Sequence, residues 1–388
     1  MENGEGVQPP EKPQEPGKPQ KPASGDFDIV VASPVSSEHP KCEAVADEAK
    51  PDSKGQASPA APSMPVRRVM PPWRYAQIQE IRKLALEGNI REVKELSQKV
   101  CQSFNVWGEL FDEGRHNFMK DRPCHPLTSY LLAHPESIGA LLSGQPIGQK
   151  RGNRLKMLEL GPGIGNDAVA LVKGLDLLSY HAVEASEKAA EICRGRLQEA
   201  LATKNGIPPD EIKVAVADFM PMLQSMSYLA TRQRHSSASL KEDENRRLSE
   251  YPNVILSISS LYHRWPDELE KALLCISNIL RVFRGKLVFA IATKDSETRQ
   301  NHKIIHHDDP PGFLVGLHEQ EGMIRSFGSR EAVNAMLQKV HFDFLSPNTR
   351  QFEATVEGYN QDGAKEEFYC VIVQPKEDST PPVSSQPG

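Results

Sequence analysis

The chain has 388 residues, of which 38% are hydrophobic, and it carries a formal net charge of −6 at pH 7. This length allows one large core or two smaller ones. The acidic balance lacks the basic excess of dedicated nucleic-acid binders, which argues against a nucleic-acid partner. The six cysteines are scattered and form no CxxC or Cys/His pattern suited to zinc, which indicates reduced thiols inside a cell.

Both ends of the chain are poor in apolar residues. Residues 1–70 are crowded with Pro, Glu, Lys and Ser, and residues 377–388 have a similar composition. Because such segments cannot bury enough surface to offset the entropy of ordering them, we predict two disordered tails. The sequence has no signal-peptide pattern and no apolar run long enough to cross a bilayer, so we expect a cytoplasmic protein without a membrane partner.

Apolar residues recur at helical spacing after the N-terminal tail. Ile78 and Ile81 share one helical face, and Asn89 with Glu92 is typical of a capping box at the start of a second helix. We predict two to four helices over residues 71–150. This stretch is too short for an independent enzyme and is interpreted as a helical cap.

Strand-like and helix-like segments alternate over residues 151–376, which predicts parallel strands joined by crossover helices. Strands are predicted at 155–160, 179–184, 212–217, 252–259, 286–292, 341–346 and 367–374. The last two are joined through Asp362-Gly363 without room for a helix and should form an antiparallel hairpin. The predicted fold class is therefore a doubly wound α/β fold, with a mostly parallel seven-stranded sheet and an antiparallel C-terminal hairpin.

A glycine-rich loop, ELGPGIGND over residues 159–167, follows the first predicted strand. A dinucleotide-binding loop has the spacing G-x-G-x-x-G, whereas the third glycine here, Gly165, comes one position early. Glu159 and Asp167 flank the loop, and two carboxylates would repel a diphosphate. They suit a ligand that carries an ammonium and a sulfonium, as S-adenosylmethionine does.

From Leu155 to Lys376 the chain resembles the class I S-adenosylmethionine-dependent methyltransferases, and ELGPGIG is similar to that family's first motif. The resemblance implies S-adenosylmethionine as co-substrate. Glu184 would accept hydrogen bonds from the ribose hydroxyls, Asp218 would pair with the adenine amino group, and Phe219 would lie against the adenine. The donor-binding residues implied in this way are Glu159, Gly161, Gly163, Gly165, Glu184, Asp218, Phe219 and Ser259.

Two of these assignments have alternatives. The spacing of Glu184 from the glycine loop is one that a nicotinamide-dependent dehydrogenase shares, so Glu184 alone does not separate the two classes. Asp218 precedes a predicted helix and could be a helix cap. For the whole chain, a further alternative is a scaffold protein that keeps the methyltransferase fold but no longer catalyses methyl transfer.

In the class I methyltransferases that the chain resembles, the end of the fourth strand faces the departing methyl group. His263 lies there and is the candidate general base, because its ordinary pKa suits proton removal near neutrality; packing beside Trp265 is the alternative. The strand lacks the Asn/Asp-Pro-Pro-aromatic motif of enzymes that methylate amide or base nitrogens. Asp309-Pro310-Pro311-Gly312 comes too late and is interpreted as a loop.

Residues 295–325 include a polar stretch with three histidines and two aspartates, which could bind a divalent metal. We interpret it instead as a loop that closes over substrate, and we expect no metal. The predicted function is transfer of a methyl group from S-adenosylmethionine to an oxygen or nitrogen of a small molecule. A protein acceptor is the alternative.

Overall fold

The computed structural model describes residues 72–103, 122–139, 155–202, 207–235, 251–258, 260–307, 311–318, 324–346, 349–356 and 365–377. These residues all belong to one compact unit, Pro65–Gly388. The predicted tails, apart from Glu377, lie outside the described residues, and so does Ser259. The division of the chain into a cap and a catalytic domain therefore stays a prediction.

The centre of the molecule is a mixed sheet. Its strands are β1 Leu155–Leu160, β2 Leu177–Glu184, β3 Ile212–Val216, β4 Val254–Ser257, β5 Lys286–Ala292, β10 Arg350–Val356 and β11 Glu366–Pro375, with the short β9 Phe342–Asp343 beside the end of β11. They lie in the order β10-β11-β5-β4-β1-β2-β3, where β1 to β5 run parallel and β11 is antiparallel to both β5 and β10. The predicted doubly wound sheet and its antiparallel hairpin are confirmed.

Helices connect and cover these strands. They are α1 Pro72–Leu86, α2 Ile90–Ser103, α3 Pro126–Ala133, α4 Asn166–Gly174, α5 Glu187–Ala202, α6 Phe219–His235, α7 Pro266–Arg281 and α8 Arg330–Lys339. The apolar stripe predicted over residues 267–283 is buried in α7, where Leu269, Leu273 and Ile276 are each at most 1% exposed. Each such side chain contributes about 1.5–3 kcal/mol by leaving water.

The helices form two pairs, because α4 packs on α5 and α6 packs on α7. Right-handed crossovers place the two pairs on opposite faces of the sheet, since the chain reverses its direction of growth between β1 and β4. A crevice forms at such a reversal, outside the carboxyl ends of the strands. The glycine loop after β1 lies at that position.

The sixth strand of the sheet was wrongly predicted at 341–346. Only Phe342–Asp343 pairs there, and the strand beside β11 is Arg350–Val356. This edge strand contains Arg350, Gln351 and Glu353, because its outer side faces water and does not need apolar residues. The hairpin prediction holds with this corrected first strand.

The loop predicted over residues 295–325 is instead largely a second sheet. Strands β6 His302–His307, β7 Phe313–His318 and β8 Ile324–Gly328 pair antiparallel in the order β6-β7-β8. Its apolar side chains pack with those of α1, α2 and Trp265, the cluster being Ile81, Leu84, Val93, Trp265, Ile305, Val315, Leu317 and Ile324. A bridge between Thr293 and Gly328 joins it to the end of β5. The second sheet thus shares one core with helices α1 and α2.

Candidate functional site

All three glycines of the loop adopt positive φ angles, which are 68° at Gly161, 57° at Gly163 and 82° at Gly165. A Cβ atom at Gly161 would lie 2.5 Å from the Cβ of Ser260, and one at Gly165 would lie 2.7 Å from the Sγ of Cys193. The G-x-G-x-G spacing is therefore required by the backbone of this turn and by its close packing. Gly165 also precedes the first residue of α4 as its N-cap.

Glu184 ends β2 and binds the glycine loop directly. Its Oε2 accepts a hydrogen bond of 2.8 Å from the Gly163 N–H, and its Oε1 accepts one of 2.9 Å from the Ser186 N–H. Burial raises the pKa of this carboxyl, and these backbone donors oppose that shift. With backbone donors from Gly163, Ser186 and Ala185, the two oxygens keep lone-pair capacity for a further donor such as a hydroxyl.

Glu159, in β1, is buried beneath the same turn. Its carboxyl accepts a hydrogen bond from the Tyr180 hydroxyl. Burial raises the pKa of Glu159 to about 8, and the neighbouring Asp167 raises it further. A cationic group bound at this loop would favour the charged carboxylate and would lower that pKa.

Asp167 has a structural contact that the sequence interpretation missed. Its Oδ1 accepts a hydrogen bond of 2.8 Å from the His125 N–H at the start of α3. Nearby, the Sγ of Cys124 lies 3.6 Å from the carbonyl oxygen of Asn166, and burial raises the pKa of that thiol. Asp167 and Cys124 therefore join the cap to the glycine loop, and Cys124 has the environment of a packed thiol, not of a nucleophile.

Asp218 and Phe219 follow β3. The Oδ1 of Asp218 accepts a hydrogen bond of 2.9 Å from the Met220 N–H, so Asp218 does cap α6. The same Oδ1 lies 2.9 Å from Nη2 of Arg264, whose guanidinium carbon is 5.0 Å from the centroid of the Phe219 ring. The predicted adenine residues thus lie together, in contact with an arginine that the sequence did not single out.

The end of β4 folds back onto the glycine loop. Ser260 Oγ donates to the carbonyl oxygen of Leu160 and lies 2.9 Å from Ser257 Oγ. This turn places Leu261–Trp265, which we call the post-β4 segment, at the carboxyl edge of the sheet. The segment is where the sequence predicted that substrate approaches.

Successive side chains of the post-β4 segment contact different parts of the molecule. The Tyr262 ring lies 6.3 Å from that of Phe368 in β11, and Nδ1 of His263 lies 3.2 Å from the carbonyl oxygen of Ile324 in β8. The indole N–H of Trp265 donates to Ser97 Oγ in α2 over 3.3 Å. Burial lowers the pKa of His263 well below its ordinary value, so the imidazole is neutral at pH 7.

A polar cluster that was not predicted joins Tyr262 of this segment to the half-buried Arg122 and to the buried Arg325 and Glu366. Arg325 in β8 forms an ion pair with Glu366, the first residue of β11, and its guanidinium carbon is 5.0 Å from the centroid of the Tyr262 ring. Glu366 is fully buried, and burial raises its pKa despite Arg325 and Arg122. Burial also lowers the pKa of Arg122 to about 10. Two features of the sequence could have indicated this cluster: Glu366 begins a mostly apolar strand, and Arg325 lies inside a short apolar strand.

The structure brings together Glu159, the three glycines and Glu184 around the loop, and it places Asp218 and Phe219 at the end of the neighbouring strand. Within the described residues, no group of three or more His, Cys, Asp or Glu side chains is arranged to hold a metal ion. The side chains of His306 and His307, with Asp308 and Asp309, lie outside that description. None of the described helices has the length and apolar character needed to cross a membrane.

No protein-family model matches this sequence, and no curated protein is significantly similar to it. Solved structures similar to the chain include magnesium protoporphyrin IX methyltransferase from Synechocystis with bound S-adenosylmethionine, at 13% identity over 63% of this chain and 76% of that one, with a TM-score of 0.34. The YcgJ protein from Bacillus subtilis has 11% identity over 66% of this chain and 100% of that one, with a TM-score of 0.37.

A methyltransferase from Anabaena variabilis has 12% identity over 70% of this chain and 94% of that one, with a TM-score of 0.38. The order and directions of the strands are features of the chain itself, as are the reversal between β1 and β4 and the glycine loop at that reversal. They agree with the fold that the resemblance to the class I S-adenosylmethionine-dependent methyltransferases implies.

Proposed function

We propose that this protein is a methyltransferase that uses S-adenosylmethionine as its methyl donor. The observation that carries the proposal is the position of Glu159, Glu184 and Asp218 at the carboxyl ends of three neighbouring strands, beside a loop of three glycines with positive φ. Negative charge at this helix N-terminus disfavours a diphosphate. The same charge suits the cationic end and the hydroxyl groups of the proposed donor.

Each residue has a proposed part in holding the donor. The glycines let the backbone approach the ligand closely, and Glu159 provides a buried carboxyl beneath the loop that becomes charged when the ammonium group binds and lowers its pKa from about 8. Glu184 has lone pairs that can accept the ribose hydroxyls while its backbone bonds are kept. Asp218 and Phe219 bind the adenine, and Ser259, which lies outside the described residues, stays a predicted member of the donor site.

The reaction is an in-line displacement. A nucleophilic oxygen or nitrogen of the acceptor forms a bond to the methyl carbon while the carbon–sulfur bond breaks, which yields S-adenosylhomocysteine. The protein contributes alignment of the two reactants and, for a protonated acceptor, a base. We propose His263 as that base, because it lies in the post-β4 segment and its ring is fixed through Nδ1 on the carbonyl oxygen of Ile324 in β8. The burial that lowers its pKa keeps the imidazole neutral at pH 7 and also makes it a weaker base than a free histidine.

A small molecule is the proposed acceptor. This proposal is supported by the packing of α1, α2 and the second sheet around Trp265 in one apolar core. Because Trp265 follows β4, this packing covers part of the carboxyl edge of the central sheet. A cover packed beside this edge suits a small acceptor better than a folded protein. A protein acceptor stays the alternative, together with a scaffold that binds the donor without turnover.

One label-transfer experiment tests the proposal. The full chain is incubated with S-adenosylmethionine labelled at its methyl group and with cell extract separated into small-molecule, protein and nucleic-acid fractions. We expect labelled product in the small-molecule fraction, and less of it with His263→Asn at unchanged donor affinity. Label in the protein fraction would favour the alternative acceptor. Donor binding without label transfer to any fraction would favour the scaffold.

A further inference from the structure

Arg264 is in contact with both side chains assigned to adenine. Its Nη2 lies 2.9 Å from Oδ1 of Asp218, and its guanidinium carbon lies 5.0 Å from the centroid of the Phe219 ring. An adenine amino group would need the carboxylate of Asp218, and an adenine ring would need a face of Phe219. The guanidinium therefore competes with the base for the face of Phe219, and it occupies Oδ1 of the carboxylate that the adenine amino group would use.

The exposure of these residues strengthens the conflict. Phe219 is only 7% exposed, so the protein, including Arg264, covers nearly all of its ring. A base can stack on that ring only where the guanidinium has moved away. The side chains of Arg264 and Asp218 are 20% and 40% exposed, which leaves the guanidinium an open route toward solvent.

The contact of the Arg264 guanidinium with Asp218 and Phe219 is weak enough to break reversibly. Partly exposed ion pairs and cation–π contacts each contribute little, because water solvates the same groups when they separate. The backbone of Arg264 is held separately, since its carbonyl oxygen accepts a hydrogen bond of 2.6 Å from Ser326 Oγ in β8. The side chain can therefore leave Asp218 while the post-β4 segment keeps its place on the second sheet.

We propose that Arg264 determines donor affinity by covering the adenine subsite and being displaced when the donor binds. This inference rests on the proposed function, because it uses Asp218 and Phe219 as the adenine residues. Arg264 would lower the affinity for the donor, in contrast to the residues that are proposed to bind the donor. The displaced guanidinium remains on a segment whose backbone is bound to β8.

Calorimetric titration of the full chain tests this inference with three probes: S-adenosylhomocysteine, S-adenosylmethionine and adenosine. Arg264→Ala is expected to lower the Kd of each probe about three- to tenfold, because one weak ion pair and one weak cation–π contact no longer have to break. Arg264→Lys should lie between the variant and the wild type. Arg264→Met provides a second variant if Arg264→Ala reduces the melting temperature.

Arg284→Ala is the matched control, because Arg284 is an exposed arginine that pairs only with an exposed Glu377 among the described residues. It should leave all three Kd values unchanged. Unchanged or weaker S-adenosylhomocysteine binding by Arg264→Ala would overturn the inference while leaving the proposed function in place. A gain for S-adenosylmethionine alone would also overturn it, since removal of a repelling charge would explain that result. No binding by the wild type or any variant would contradict the proposed function as well.

Discussion

The proposed donor side of the crevice consists of Glu159, Glu184 and Asp218, each within or shortly after one of three neighbouring strands, β1, β2 and β3. The proposed acceptor side consists of the post-β4 segment, Arg325 in β8 and Glu366 in β11, together with helices far earlier in the chain. Local strand ends fix the first group, whereas long-range packing fixes the second. Substitutions on the acceptor side should therefore reduce mainly the stability of the protein, and substitutions on the donor side should reduce mainly its affinity for the donor.

The largest effect is expected on the acceptor side. Glu366→Ala leaves the buried Arg325 guanidinium without its ion-pair partner, which should reduce the free energy of unfolding by about 3–5 kcal/mol. Urea unfolding measures this loss. The double variant Arg325→Met/Glu366→Leu removes both charges and should recover much of it. A single variant as stable as the wild type would show that this pair does not hold β8 and β11 together on the acceptor side.

A smaller effect, on binding, is expected from Glu184→Ala on the donor side. Loss of a carboxylate that accepts hydroxyl donors should weaken S-adenosylhomocysteine about 10- to 100-fold, because hydrogen bonds to charged groups contribute about 1.5–3 kcal/mol. Calorimetry gives the Kd, and a melting curve checks that the variant is folded. Glu191→Ala, at an exposed acid on α5, is the control and should not change the Kd. An unchanged Kd for Glu184→Ala would contradict the assigned donor site.

The turn itself can be tested by a pair of glycine substitutions. Gly161→Ala should reduce the free energy of unfolding by about 1–3 kcal/mol, because φ is 68° and the new Cβ would lie 2.5 Å from that of Ser260. Gly195→Ala, in α5, meets nothing within 4 Å and should instead stabilise the protein by about 0.5–1 kcal/mol. Urea unfolding measures both. Equal effects would mean that the loop tolerates a side chain.

The smallest effect is a proton released on donor binding. Burial first, and then Asp167, raise the pKa of Glu159 to about 8, so the carboxyl is mostly protonated at pH 7. A bound ammonium lowers that pKa, so donor affinity should rise with pH up to about 8, by at most about tenfold per pH unit, and then level off. Titration at pH 7 in buffers of different ionisation enthalpy counts the released protons. Glu159→Gln should release none; proton uptake by the wild type would contradict this assignment.

The contrast between the two sides also explains which features the sequence could predict. β1 and β5 have the predicted bounds, because buried parallel strands are continuous apolar runs, and the glycine loop is a local pattern. β6 to β8 were mistaken for a loop, since these strands are short, include polar residues and are stabilised by the distant helices α1 and α2. Arg325 and Glu366 meet only through that packing. Arg264 follows β4 closely, but its contact with Asp218 depends on the conformation of the intervening turn.

Calorimetric titration of the full chain with S-adenosylhomocysteine, beside an identical titration with NADH, tests the central claim most directly. The arrangement of Glu159, Glu184 and Asp218 around the glycine loop predicts saturable binding of S-adenosylhomocysteine at one site and no binding of NADH. Binding of NADH without binding of S-adenosylhomocysteine would contradict the assigned donor site and would favour a nicotinamide-dependent enzyme.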